Sequence, residues 1–139
     1  MLLNRHNSKY DKEAVMDKPR VLLVDIETAP LLGYFWKIWD ENIGLNQIRS
    51  HTSLLSFAAK WLGEKEIIYQ DVSDQKDMED DSKLLKSIWK LLDEADIVVV
   101  QNGVAFDIPL IKSRMMVHGI PPPSPFRTID TLTQARKHF

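Results

Sequence analysis

Two acids separated by a single residue, Asp25 and Glu27, close the apolar run Val21-Leu22-Leu23-Val24. On an extended strand the side-chain period is two, so both carboxylates stand on one face. Like charges 4 Å apart repel by roughly 4 kcal/mol at an effective dielectric of 20. A divalent cation compensates such a pair, and magnesium favours oxygen ligands of this kind. The plain alternative is a strand end whose acids simply face water. A second constellation, Asn102-Gly103-Val104-Ala105-Phe106-Asp107, follows another apolar run, Ile97 to Val100. Asp107 stands there where a helix N-cap belongs. Ligand sites in open α/β sheets gather at the C-terminal ends of strands, which places Asp107 beside the first pair. Three carboxylates from two elements suit two metal ions roughly 3.5–4 Å apart, for in-line attack on a phosphodiester. Asp130, at a further strand end, could approach them, although capping the helix after it is the plainer role.

Elements of particular kinds must position these groups. Val21 to Glu27 reads as a strand buried on both faces. Leu54 to Trp61 and Glu66 to Gln70 read as strands joined by a turn at Leu62-Gly63-Glu64-Lys65. Ser82 to Ala95 carries one apolar stripe, Leu84, Leu85, Ile88, Leu91 and Leu92, and reads as a helix begun by Asp80, Asp81 and Ser82. Asp96 to Gln101 is a strand, Asp107 to His118 a helix, Phe126 to Ile129 a strand, and Thr131 opens a last helix. The expected fold is α/β: a mixed five-stranded sheet with the Val21 strand central and helices on both faces. Leu31 to His51 is expected to be an insertion with some helix. Residues 1–18 are expected to be a disordered tail, and residues 19–139 one domain.

Composition narrows the chemistry. The chain of 139 residues has no cysteine, which excludes disulfides, thiolate metal sites and thiol nucleophiles. Its net charge of -2 argues against a protein that coats nucleic acid. From Val104 to Phe139, however, five basic residues stand against Asp107 and Asp130, a net of +3. No apolar run is long enough to span a bilayer, and a cytoplasmic location is expected.

Asp25-Ile26-Glu27-Thr28 and the pattern Asn102 to Phe106-Asp107 together resemble the first two motifs of the DEDD, DnaQ-like 3′–5′ exonucleases, which have a ribonuclease-H-like fold. Trp39 to Gln47, the Pro-rich connector and Thr128 to Leu132 are similar to phage and bacterial exonuclease-like proteins related to the proofreading domain of family B DNA polymerases. The resemblance implies that Asp25, Glu27 and Asp107 are catalytic metal ligands for two magnesium ions, with manganese as a substitute. It implies that Thr28, Asn102 and Phe106 shape the substrate site. The implied substrate is the single-stranded 3′ end of DNA, RNA remaining open. A third motif, with a fourth aspartate, is missing after Asp130, so the domain is expected to be incomplete at its C-terminus and impaired alone. A partner polypeptide supplying that motif is one possibility, making this chain half of a split exonuclease. A non-catalytic nucleic-acid-binding module is another.

Other features have plainer expectations. Tyr34, Phe35, Trp36 and Trp39 could stack on unpaired bases, but their spacing is that of buried core. His118 is expected to meet helix-end carbonyls, Asp71 to Asp81 to be a solvated acidic loop, and Pro121 to Pro125 a stiff connector.

Overall fold

A computed structural model describes residues 18–40 and 42–139. The expected disorder of residues 1–18 therefore falls outside the described residues, except at Lys18. Strand β1 (Val21–Thr28) is followed by short strands β2 (Leu32–Gly33) and β3 (Ile48–Ser50), then by β4 (Leu54–Trp61) and β5 (Ile68–Asp71). Helix α1 (Ser82–Glu94), strand β6 (Ile97–Val100), helix α2 (Asp107–Val117), strand β7 (Arg127–Asp130) and helix α3 (Thr131–His138) complete the order. Five strands form one sheet in the order β5-β4-β1-β6-β7. β1 pairs antiparallel with β4 and parallel with β6, and β6 pairs parallel with β7. β1 is thus central, where its apolar residues have neighbours on both sides.

Alternation along β1 separates the two faces of the sheet. Leu22, Val24 and Ile26 are buried, while Leu23, Asp25 and Glu27 are exposed. Across from the buried three lie Trp61, Ala59 and Phe57 of β4, also buried. Leu84, Leu85, Ile88 and Leu92 of α1 and Ile108, Ile111 and Met115 of α2 join the same core. Both long helices therefore cover one face. Asp25, Glu27, Ser56, Ala58 and Lys60 stand on the other, where a long helix would bury unpaired charge, and Thr131, the first residue of α3, borders the pocket there. α3 buries none of its residues.

Asp81 departs from the expected solvated loop. It is fully buried and precedes α1, yet its side chain makes no capping bond. Its carboxylate accepts instead from the Leu54 amide at 2.9 Å and from Arg114 through Nε and Nη2, both at 2.8 Å. His118 Nε2 lies 2.7 Å from the same carboxylate. His118 thus turns toward a carboxylate rather than toward carbonyls alone. One acid joins the starts of α1 and β4 to the last turn of α2. The Pro-rich connector is pinned as well, because Trp89 Nε1 donates to the Pro121 carbonyl at 2.7 Å.

The segment from Leu31 to His51 is not the partly helical insertion expected. Its only helical turn among the described residues is a short 3-10 turn, Leu45–Gln47. β2 and β3 pair to form a stem, and the Gln47 side-chain amide donates to the Tyr34 carbonyl at 2.9 Å. The aromatic residues are outside the core: Tyr34 is 70%, Trp36 93% and Trp39 80% exposed. Helical spacing was a coincidence here, since Gly33 and Gly44 bracket a looped path.

Candidate functional site

β1 and β6 run side by side only from Val21–Leu23 against Ile97–Val99. β6 then leaves the sheet through Asn102, whose φ of 58° lies in the left-handed region that asparagine tolerates better than most residues. Asp25 to Thr28 consequently pair with β4 alone, and their β6 side has no strand partner. Opposite Asp25 and Glu27 stand the small residues Ala58 and Ser56. A bulge between Glu27 and Thr28 sets Thr28 across from Leu54. Both acids are thereby presented on an open, uncrowded surface.

Asp107 is the first residue of α2, not its N-cap, which is Phe106. The carboxylate is buried, only 5% exposed. Gly103 makes room for it: a Cβ at that position would lie 2.5 Å from Asp107 Oδ2 and 2.5 Å from Val100 Cβ. Gly103 thus sets the space in which the Asp107 carboxylate stands. Its only signal in the sequence is an Asn-Gly pair following a strand. Phe106 is 51% exposed beside this turn.

Burial raises the Asp107 carboxyl above its ordinary range, and the charges of Asp25, Asp130 and Glu27 push it the same way. All four acids thus share one electrostatic field. A carboxyl raised on folding contributes stability below its unfolded pKa and loses that contribution as pH rises through the folded value. Asp107→Asn should therefore raise the melting temperature of the metal-free protein at pH 7 by a few degrees and change it little near pH 3. Thermal unfolding in EDTA at the two pH values checks this, and a drop at pH 7 would contradict it.

Asp130 has a different task. Its Oδ1 accepts from the amides of Asn102 at 3.0 Å, Leu132 at 3.0 Å and Thr133 at 3.4 Å, and its Oδ2 from Val104 at 3.1 Å. Burial would raise this carboxyl, but the four amides outweigh it and hold the group below the usual range. Asp130 caps α3 and clamps the turn that leads to Asp107. Its lone pairs are spent on backbone, which argues against a place for it among metal ligands.

Among the described residues, no group of three or more His, Cys, Asp or Glu side chains is gathered as a metal ion would require. The pocket on the open face, about 450 Å³, is lined by Asp25, Lys60, Gln101 and Thr131 but by neither Glu27 nor Asp107. That pocket therefore does not enclose all three acids. The donor chemistry still fits a divalent cation. Three carboxylates supply only oxygen, their mutual repulsion is relieved by positive charge, and the exposed Asp25 and Glu27 can change rotamer without disturbing the core.

The model of the RNase_H superfamily matches residues 40–139. The chain belongs to the RNase_H superfamily. The match includes Asp107 and Asp130 and begins after Asp25 and Glu27. Members of the RNase_H superfamily are generally nucleases, and the mixed five-stranded sheet with three flanking helices is the ribonuclease-H-like fold. No curated protein matches the chain. Among solved structures it resembles the family B DNA polymerase from the hyperthermophilic archaeon Pyrobaculum calidifontis, with a TM-score of 0.55 and 14% identity over 91% of this chain. It spans 17% of that polymerase chain. At that identity the likeness concerns the fold alone.

Proposed function

We propose that this RNase_H superfamily chain is a metal-dependent 3′–5′ exonuclease domain acting on single-stranded DNA ends. The observation that carries the proposal is the shared field of Asp25, Glu27 and Asp107 where β1 loses its β6 neighbour. Asp25, Glu27 and Asp107 would hold magnesium, or manganese in its place, and the metal would supply charge stabilisation for phosphodiester hydrolysis. Thr28, at the bulge beside Glu27, meets the terminal nucleotide through its hydroxyl or amide. Phe106 packs against its sugar or base, and Asn102 with Gly103 sets the turn that points Asp107 inward. Water adds to the terminal phosphorus, the bond to the 3′ oxygen breaks, and a nucleoside 5′-monophosphate leaves a strand with a new 3′ hydroxyl.

A second reading is favoured by one observation. Asp130 is taken up by four amides, which leaves three available carboxylates where the DEDD pattern uses four. A segment from elsewhere, in the same protein or on a partner polypeptide, then completes the site with the fourth acid and a general base.

The test is release of label from 3′-labelled and 5′-labelled single strands with magnesium or manganese. It is run with this chain, with Asp25→Asn, and with the chain joined to a segment bearing a tyrosine- or histidine-preceded aspartate. Label should leave the 3′ end first, and the joined protein should be at least a hundredfold faster, the usual lower bound for a general base. Asp25→Asn should be inert. Strand binding with no release by any form would point instead to a non-catalytic binding module.

A further inference from the structure

Resting on the exonuclease reading above, we infer that residues 31–40 and 42–53 form an aromatic arm that receives an unpaired nucleic-acid strand and leads its end to the acidic site. The arm is a built structure. Its stem is the β2–β3 pair, reinforced by the Tyr34 amide donating to the Gln47 carbonyl at 2.8 Å and the Gly44 amide donating to Gln47 Oε1 at 2.7 Å. Above that stem Tyr34, Phe35, Trp36 and Trp39 are exposed, Trp36 almost completely. Two of the four tryptophans of the chain stand here.

Placement decides what the rings are for. Both feet of the arm stand at the end of β1 that carries the acids: the Ala29 amide donates to the Ser53 carbonyl at 2.9 Å, and Thr28 faces Leu54. From Thr28 to Tyr34 the chain reaches at most about 20 Å, a distance that a few unpaired nucleotides cover. Aromatic rings in water are unfavourable, and unpaired bases offer flat faces to cover them. Lys37 and Arg49 stand against Asp40 and Glu41 in the sequence of the arm, so it carries no net charge and its rings, rather than phosphate contacts, would hold the strand. A duplex hides its base faces, so the arm selects single strands. The aliphatic residues Leu32, Ile38 and Leu45 on the same arm would instead suit a protein partner, and the experiment separates the two.

Anisotropy of a fluorescein-labelled oligothymidylate, measured in EDTA, reads strand binding with no hydrolysis. The wild-type chain should bind the single strand at least tenfold more tightly than a duplex of equal length. Trp36→Ala with Trp39→Ala should weaken binding about a hundredfold, roughly tenfold per ring, whereas Trp36→Phe with Trp39→Phe should stay within about threefold. Both pairs lie at exposed positions, and unchanged unfolding midpoints establish that they fold. Equal affinity of the alanine pair and wild type overturns the inference. So does an alanine pair that keeps its strand affinity but loses self-association in sedimentation, which would make the arm a protein interface. Failure of the exonuclease reading would appear only in the label-release assay, and leaves this binding result standing.

Discussion

Asp81→Ala should lower the stability of the domain by about 3–5 kcal/mol, a large part of the 5–15 kcal/mol typical of a folded domain. The carboxylate is fully buried and receives two bonds from Arg114, one from the Leu54 amide and a contact from His118. Removing it leaves a guanidinium and a backbone N–H without their partner inside the protein. The urea midpoint should fall without a change in slope. Loss of acid stability is a second readout. Burial alone would raise the Asp81 carboxyl, but the bonds from Arg114, Leu54 and His118 outweigh it and lower it below its ordinary range. A depressed carboxyl contributes stability above its unfolded value, near 3.8, and loses it as pH falls through the folded value. Wild type should therefore lose stability steeply below about pH 4, and Asp81→Ala should show less of that slope. An unchanged midpoint would mean that water replaces the carboxylate. Leu54 faces Thr28 across the sheet, so the same acid also steadies the strand opposite the site.

Gly103→Ala should weaken manganese binding ten- to a hundredfold, the usual effect of disturbing a group that orients a metal ligand. The new methyl would meet Asp107 Oδ2 at 2.5 Å and Val100 Cβ at 2.5 Å, so the carboxylate must turn away or α2 must shift. Overpacking of this kind also costs about 1–3 kcal/mol. The urea midpoint reads the packing cost and calorimetric titration with manganese reads the ligand, and full affinity in Gly103→Ala would remove Gly103 from the site.

The sheet was legible because its strands are marked by local pattern. Leu54–Trp61 and Ser82–Glu94 show apolar periods of two and of about 3.6; the turn at Leu62-Gly63 ends the first and an acidic start opens the second. The expected strand at Glu66 to Gln70 starts two residues later, at Ile68, because pairing with Ala59 and not apolarity sets its edge. That Asp25 and Glu27 share one face of β1 and that Asp107 stands at the start of α2 was legible from spacing. The Asp81 cluster was not. Its partners lie 27 to 37 residues away, and within an acidic run nothing local distinguishes the one acid that folding buries. The aromatic arm misled for the reverse reason: large apolar rings at helical spacing signal burial only if a helix forms to carry them.

The bond between Ala29 and Ser53 makes the segment it closes a cassette. A loop whose ends are already tied can lengthen at little entropic cost, about 0.6 kcal/mol for each doubling. Strand β1 keeps its register with β4 on one side and β6 on the other whatever the segment contains. Residues 31–51 can thus be exchanged between related proteins, or by an engineer, without re-pairing the sheet. Descent can alter what stands before the carboxylates while the carboxylates themselves stay in place.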